Sequence, residues 1–141
     1  MKKFVLLILF IISLISCSLN EDNVPSYHYE ILPVDSFIVP DTFDFSATHQ
    51  IKLYYKLPTI CHSYGGIYFD RYLNERTFAI QSLVINENSC LPFDENEDNL
   101  REVSLDFKVI NTDTYLFKFY KGKDEEGNNI FEEVEVPVNS D

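Results

Sequence analysis

Glu102-Val103-Ser104-Leu105-Asp106-Phe107-Lys108-Val109 sets four apolar residues in strict alternation with four polar ones. A two-residue period places Val103, Leu105, Phe107 and Val109 on one face, the mark of a half-buried β-strand. The same period recurs downstream. In Thr114–Lys121 it aligns Tyr115, Phe117 and Phe119, and in Ile130–Val138 it sets Val134, Val136 and Val138 against Glu133 and Glu135. Upstream, His49–Leu57 places Ile51, Leu53, Tyr55 and Leu57 opposite Gln50, Lys52 and Lys56, with Tyr54 as the exception on the polar side. Tyr27–Val39 is extended but broken by Pro33, which suits an edge strand that changes partners. Cys61–Asp70 contains Gly65-Gly66, the sign of a bulge or a close approach, and Arg76–Asn86 is apolar on both faces. Lys121–Asn129 reads as a charged hairpin loop built around Gly127-Asn128. No segment carries a helical period. About seven short strands, with turns at intervals of roughly 8–12 residues, predict one antiparallel β-sandwich over residues 26–141. An eight-stranded barrel is the alternative.

The composition suits a folding chain. The 141 residues are 45% hydrophobic and 15% aromatic, enough for one well-filled core and too few for two ordinary domains. Twenty-three acids against 11 bases leave a net charge of −12. Such a chain repels phosphate backbones and anionic lipid surfaces, which argues against a nucleic-acid partner.

The first residues follow a different plan. Lys2 and Lys3 precede an unbroken apolar run, Phe4–Ile12, and a less apolar Ser13–Ser16. This is the layout of a signal peptide; the run is too short to span a bilayer, which takes roughly 20 residues. Leu14-Ile15-Ser16-Cys17 resembles the lipobox of bacterial lipoprotein precursors. That resemblance implies cleavage after residue 16, a lipid thioether on Cys17 and acylation of the new amino group. Several acyl chains hold a protein stably in a membrane where one does not. Residues 17–25 then become a lipidated tether. Loss of Lys2 and Lys3 with the leader leaves nine bases against 23 acids, a net −14. Ser18 after the anchor, by resemblance to known sorting rules, favours the outer membrane. Glu21-Asp22 resembles the acidic tether of surface-exported lipoproteins of the Bacteroidetes type, so the periplasmic and cell-surface faces both stay open.

Residues 30–138 are also similar to uncharacterised small lipoproteins of that type. The likeness is carried by Ile31-Leu32-Pro33, Val39-Pro40-Asp41, Pro58-Thr59-Ile60-Cys61-His62 and the run Thr114–Asp124. It implies location and fold and brings no activity with it. With Cys17 given to lipid, Cys61 and Cys90 remain as one pair in an oxidising compartment, and a disulfide is expected. Its closed loop of about 30 residues would stabilise the fold by roughly 3.5 kcal/mol. Asp113-Thr114-Tyr115 resembles the tyrosine corner of immunoglobulin-like domains, although Phe117 stands where those domains carry Cys.

Candidate chemistry is sparse. His28, His49 and His62 fall in three segments with no catalytic motif around them, and no cofactor pattern is present. Cys61 and His62, as strand neighbours, point to opposite faces and make a poor nucleophile–base pair. Asp94, Asn96 and Asp98 offer oxygen donors for Ca²⁺, but Asn99 and Leu105 stand where an EF-hand loop needs Gly and Glu. Asp124-Glu125-Glu126 reads as a hydrated hairpin tip. His62, Tyr64, Tyr68 and Tyr72 gather aromatics beside the glycine pair, and a regular strand would put the three tyrosines on one face. Exposed tyrosines stack on sugars and anchor protein partners. The expected function is a non-catalytic binding or structural module, anchored by lipid in the outer membrane and facing a protein or a glycan. An accessory subunit of an envelope machine, or an envelope hydrolase or inhibitor, are the alternatives.

Overall fold

The computed structural model describes residues 25–94 and 99–139. They form ten strands: β1 (Tyr27–Leu32), β2 (Ser36–Ile38), β3 (Phe43–Asp44), β4 (Thr48–Lys56), β5 (His62–Tyr72), β6 (Glu75–Ile85), β7 (Leu100–Lys108), β8 (Tyr115–Lys123), β9 (Asn129–Val136) and β10 (Val138–Asn139). No helix occurs among the described residues. Five strands make one sheet, with β5 on one flank of β6 and β1, β8 and β9 on the other; β2, β4 and β7 make a second sheet, and β3 pairs with β10.

The two larger sheets face each other across one core. From the five-stranded sheet come Phe78, Ile80, Tyr115, Phe117 and Phe119; from the other come Ile51, Leu53, Tyr55 and Phe107. Ring contacts cross the gap: Phe107 lies 5.2 Å from both Tyr115 and Phe117, and Phe37 stacks on Phe119 at 3.7 Å. Phe43 closes one end against Phe107 at 5.4 Å and Phe117 at 5.7 Å. Truncating any of these rings to Ala would cost about 3–5 kcal/mol. Tyr54, the exception on the polar side of β4, faces Glu102 across the sheet, and its hydroxyl hydrogen-bonds that carboxylate. Lys52 reaches the same carboxylate at 3.0 Å, and the two partners hold Glu102 below the ordinary carboxylate range.

The expectation of about seven antiparallel strands is corrected in two respects. Three strands, β2, β3 and β10, are only two or three residues long, too short to carry a readable alternation. β2 arises because Pro33 offers no N–H to continue β1. The chain therefore crosses between sheets: the Val34 N–H donates to Tyr120 O in the first, the Asp35 N–H to Tyr54 O in the second, both at 2.8 Å. Two pairings are also parallel, β6 with β8 and β3 with β10. β8 lies beside the first half of β6 and β1 beside the second half, so one flank of β6 carries one parallel and one antiparallel partner.

The corner into β8 is built on Tyr115. Its fully buried ring brings the phenolic oxygen to the loop before β8, where it accepts the N–H groups of Ile110 at 3.1 Å and Asn111 at 3.0 Å. Those two donors lie outside any strand ladder, so the hydroxyl satisfies them.

Candidate functional site

Strand β5 decides where the candidate residues go. Its register against β6 slips between Tyr64 and Gly66, leaving Gly65 as the extra residue of a bulge. A side chain here would be crowded: a Cβ on Gly65 would sit 3.1 Å from Gln81 O, so the β6 backbone would have to give by a few tenths of an ångström. A one-residue slip sends everything beyond it to the opposite face. Tyr64 pairs with Ser82 on the core-side face, where it meets Tyr55 at 5.9 Å yet stays as exposed as Tyr68, 45% each; Tyr68 and Tyr72 pair with Ala79 and Glu75 on the outer face. The single face expected for Tyr64, Tyr68 and Tyr72 is thus corrected: the bulge splits them. Partial burial raises the Tyr64 hydroxyl above the ordinary phenol value.

The outer face gains partners that sequence reading passed over. β1 alternates, putting Tyr27, Tyr29 and Ile31 opposite Ile85, Leu83 and Gln81 on the side shared with Tyr68 and Tyr72. All five are exposed. Their signal was present in the sequence, as Tyr-x-Tyr-x-Ile interleaved with His28 and Glu30. Measured by β6 partners, the row runs from Ile85 to Glu75, about 33 Å at the usual strand rise. At its middle lies a cavity of about 380 Å³, lined by Ile31, Tyr68, Ala79, Tyr120 and Phe131, with Lys123 and Asn129 at one end. Ala79 leaves the floor low because its side chain ends at Cβ.

His62 lies inside instead. Its Nε2 is 2.9 Å from Glu30 Oε2 and its Nδ1 2.8 Å from Thr59 Oγ1, with the side chain only 8% exposed. The hydroxyl of Thr59 also accepts the Cys61 N–H at 3.2 Å. The set ties β1 to the loop before β5 and keeps His62 out of the lining of the cavity under the outer face. The other histidines have separate partners, His28 with Asn86 and His49 with the Asp44 N–H.

Cys61 and Cys90 form a disulfide, with Cα atoms 5.3 Å apart. It joins the β4–β5 and β6–β7 loops, which also meet through the bridge between Thr59 and Pro92. Asp124 is spent on its own turn: its carboxylate accepts N–H groups from Asn128 and Glu126, which hold it below the usual range. Cys17, Asn96 and Asp98 lie outside the described residues, so the anchor and the calcium candidate have no structural account. Of the latter only Asp94 is described, and no metal-binding cluster occurs among the described residues.

No family model, curated protein or solved structure matches the chain.

Proposed function

We propose that this chain is a lipid-anchored, non-catalytic binding module of the bacterial outer membrane, and that the outer face of its five-stranded sheet takes a linear, uncharged glycan. One observation carries the reading: Tyr27, Tyr29 and Ile31 on β1 and Tyr68 and Tyr72 on β5 form one exposed diagonal band that crosses β6, with a mostly apolar cavity at its centre. A row about 33 Å long on a sheet suits a chain-like ligand better than a compact one. Tyrosine rings offer apolar stacking area with a hydroxyl at the tip, which matches the alternating apolar faces and hydroxyls of a sugar. The net charge of −12 disfavours an anionic polymer.

An immunoglobulin-like sandwich is the fold we assign to this module, supported by the two facing sheets and by the Tyr115 corner. The parallel pairing of β6 with β8 departs from the usual antiparallel pattern. The lipid anchor rests on Leu14-Ile15-Ser16-Cys17. Labelling cells with a tagged fatty acid tests it: the wild-type protein carries label and Cys17→Ser does not. An unlabelled wild-type protein would end the anchoring claim.

The glycan claim is tested by electrophoresis of the full chain in nonionic detergent through gels containing linear α- or β-glucans. Retardation by at least one of them is expected. Mobility unchanged in all of them, with a stoichiometric protein recovered from detergent-solubilised membranes, would instead support an accessory subunit of an envelope assembly.

A further inference from the structure

A second cavity, of about 300 Å³, opens at the seam where edge strand β5 of one sheet approaches edge strand β7 of the other. Its walls include Phe69, Phe107 and Ile110, and into it come Arg71, Arg76 and Lys108. Three of the chain's 11 bases thus converge on one small space in a protein with 23 acids. Asp106 is the single acid on that wall.

Ordinary structural roles account for only part of this cluster. Arg76 is 5% exposed, and one of its Nη atoms donates to Leu73 O and Glu75 O, both at 2.7 Å, clamping the β5–β6 turn. Its guanidinium lies 5.0 Å from the Tyr115 ring centre and 5.9 Å from that of Phe107, a favourable placing for a cation. The Lys108 ammonium donates to Ser46 O. Arg71 is different. It sits directly opposite Arg76 in the β5–β6 register, and like charges so placed repel. None of the ion pairs among the described residues includes Arg71, Arg76 or Lys108. Burial lowers the Arg76 pKa and the neighbouring Arg71 lowers it further, while the Tyr115 phenol beside it acts in the opposite direction. An anion between the two guanidinium groups would relieve that repulsion, and each planar fork can bind an oxyanion through two N–H groups.

We propose that this seam is a binding site for a small oxyanion carrying an apolar body, such as an aromatic carboxylate or phosphate. The arginines and Lys108 would take the anionic head and Phe69, Phe107 and Ile110 the apolar part. The negative charge of the whole chain does not forbid this. At physiological salt, charges further than about 8 Å away are largely screened, so the balance that counts is the local one, three bases against Asp106 on the cavity wall. The site is separate from the tyrosine row on the outer face and stands or falls independently of it.

The test uses the full chain in nonionic detergent, titrated calorimetrically at low salt with benzoate, phenyl phosphate and neutral benzamide. Benzoate and phenyl phosphate are expected to saturate one site, and the tighter of the two identifies the head group. Benzamide is expected to bind at least fivefold more weakly. Arg71→Gln, at an exposed position, should weaken both anions fivefold or more while leaving the thermal midpoint in place; Lys108→Gln should weaken them to a smaller degree. Equal binding of benzamide and benzoate, or unchanged benzoate binding in Arg71→Gln, would overturn the proposal.

Discussion

The phenolic oxygen of Tyr115 lies 3.0 Å from the backbone nitrogen of Asn111 and accepts its hydrogen. A second hydrogen comes from Ile110, so one side-chain atom satisfies two backbone donors at the turn between the sheets. Tyr115→Phe keeps the ring and removes the acceptor. It should cost about 1–3 kcal/mol, the price of leaving part-buried donors unpaired. Urea unfolding measures it; a loss below a few tenths would show that water replaces the hydroxyl.

The disulfide makes a larger contribution. Cys61 and Cys90 are 29 residues apart, and the closed loop restricts the unfolded chain. Replacing both with Ser should destabilise the domain by about 3.5 kcal/mol on the chain-entropy estimate. Guanidinium titration of the double variant, against the oxidised parent, reads this directly.

Leu73 is exposed at the tip of the β5–β6 hairpin with φ of 52°. Leucine tolerates that left-handed conformation poorly, whereas Asn adopts it with less strain. Leu73→Asn should therefore raise stability by about 0.5–1 kcal/mol, visible as a higher thermal midpoint. A lower midpoint would mean that Leu73 makes contacts worth more than its strain.

Much of the fold was legible because it is written locally. The alternation in residues 102–109 and the run of Tyr115, Phe117 and Phe119 describe β7 and β8, with the predicted faces buried or partly buried. Pro33 likewise marks the place where the chain leaves one sheet for the other. Other features depend on partners far away in sequence. The pairing of β6 with β8 and the two-residue strand β3 are settled only by what lies alongside. Gly65-Gly66 signalled an irregularity, but only the register against β6 shows that it parts Tyr64 from Tyr68 and Tyr72. Arg71, Arg76 and Lys108 look like scattered bases until β5 and β7 meet at the seam.

Asp124 gives the acid limb of stability a local source. Hydrogen bonds from the Asn128 side chain and from backbone N–H groups hold its carboxyl below the ordinary value of 3.8. Because the folded-state value is depressed, this stabilisation is present above the ordinary value and is lost as pH falls through the folded one. Asp124→Ala should lower the thermal midpoint near neutral pH, and the gap from wild type should narrow as pH falls below about 4. A gap independent of pH would show that the carboxylate charge is irrelevant to the turn.

The central claim is that the outward tyrosine row binds and Tyr64, on the core-side face, does not. Glucan retardation of the double variant Tyr29→Ala, Tyr68→Ala, compared with that of Tyr64→Ala, tests it most directly. The double variant should keep its thermal midpoint within a few degrees and lose most of the retardation, while Tyr64→Ala should lose packing against Tyr55 and stay retarded. Retardation that survives in the double variant, or disappears in Tyr64→Ala with the fold intact, would contradict the account.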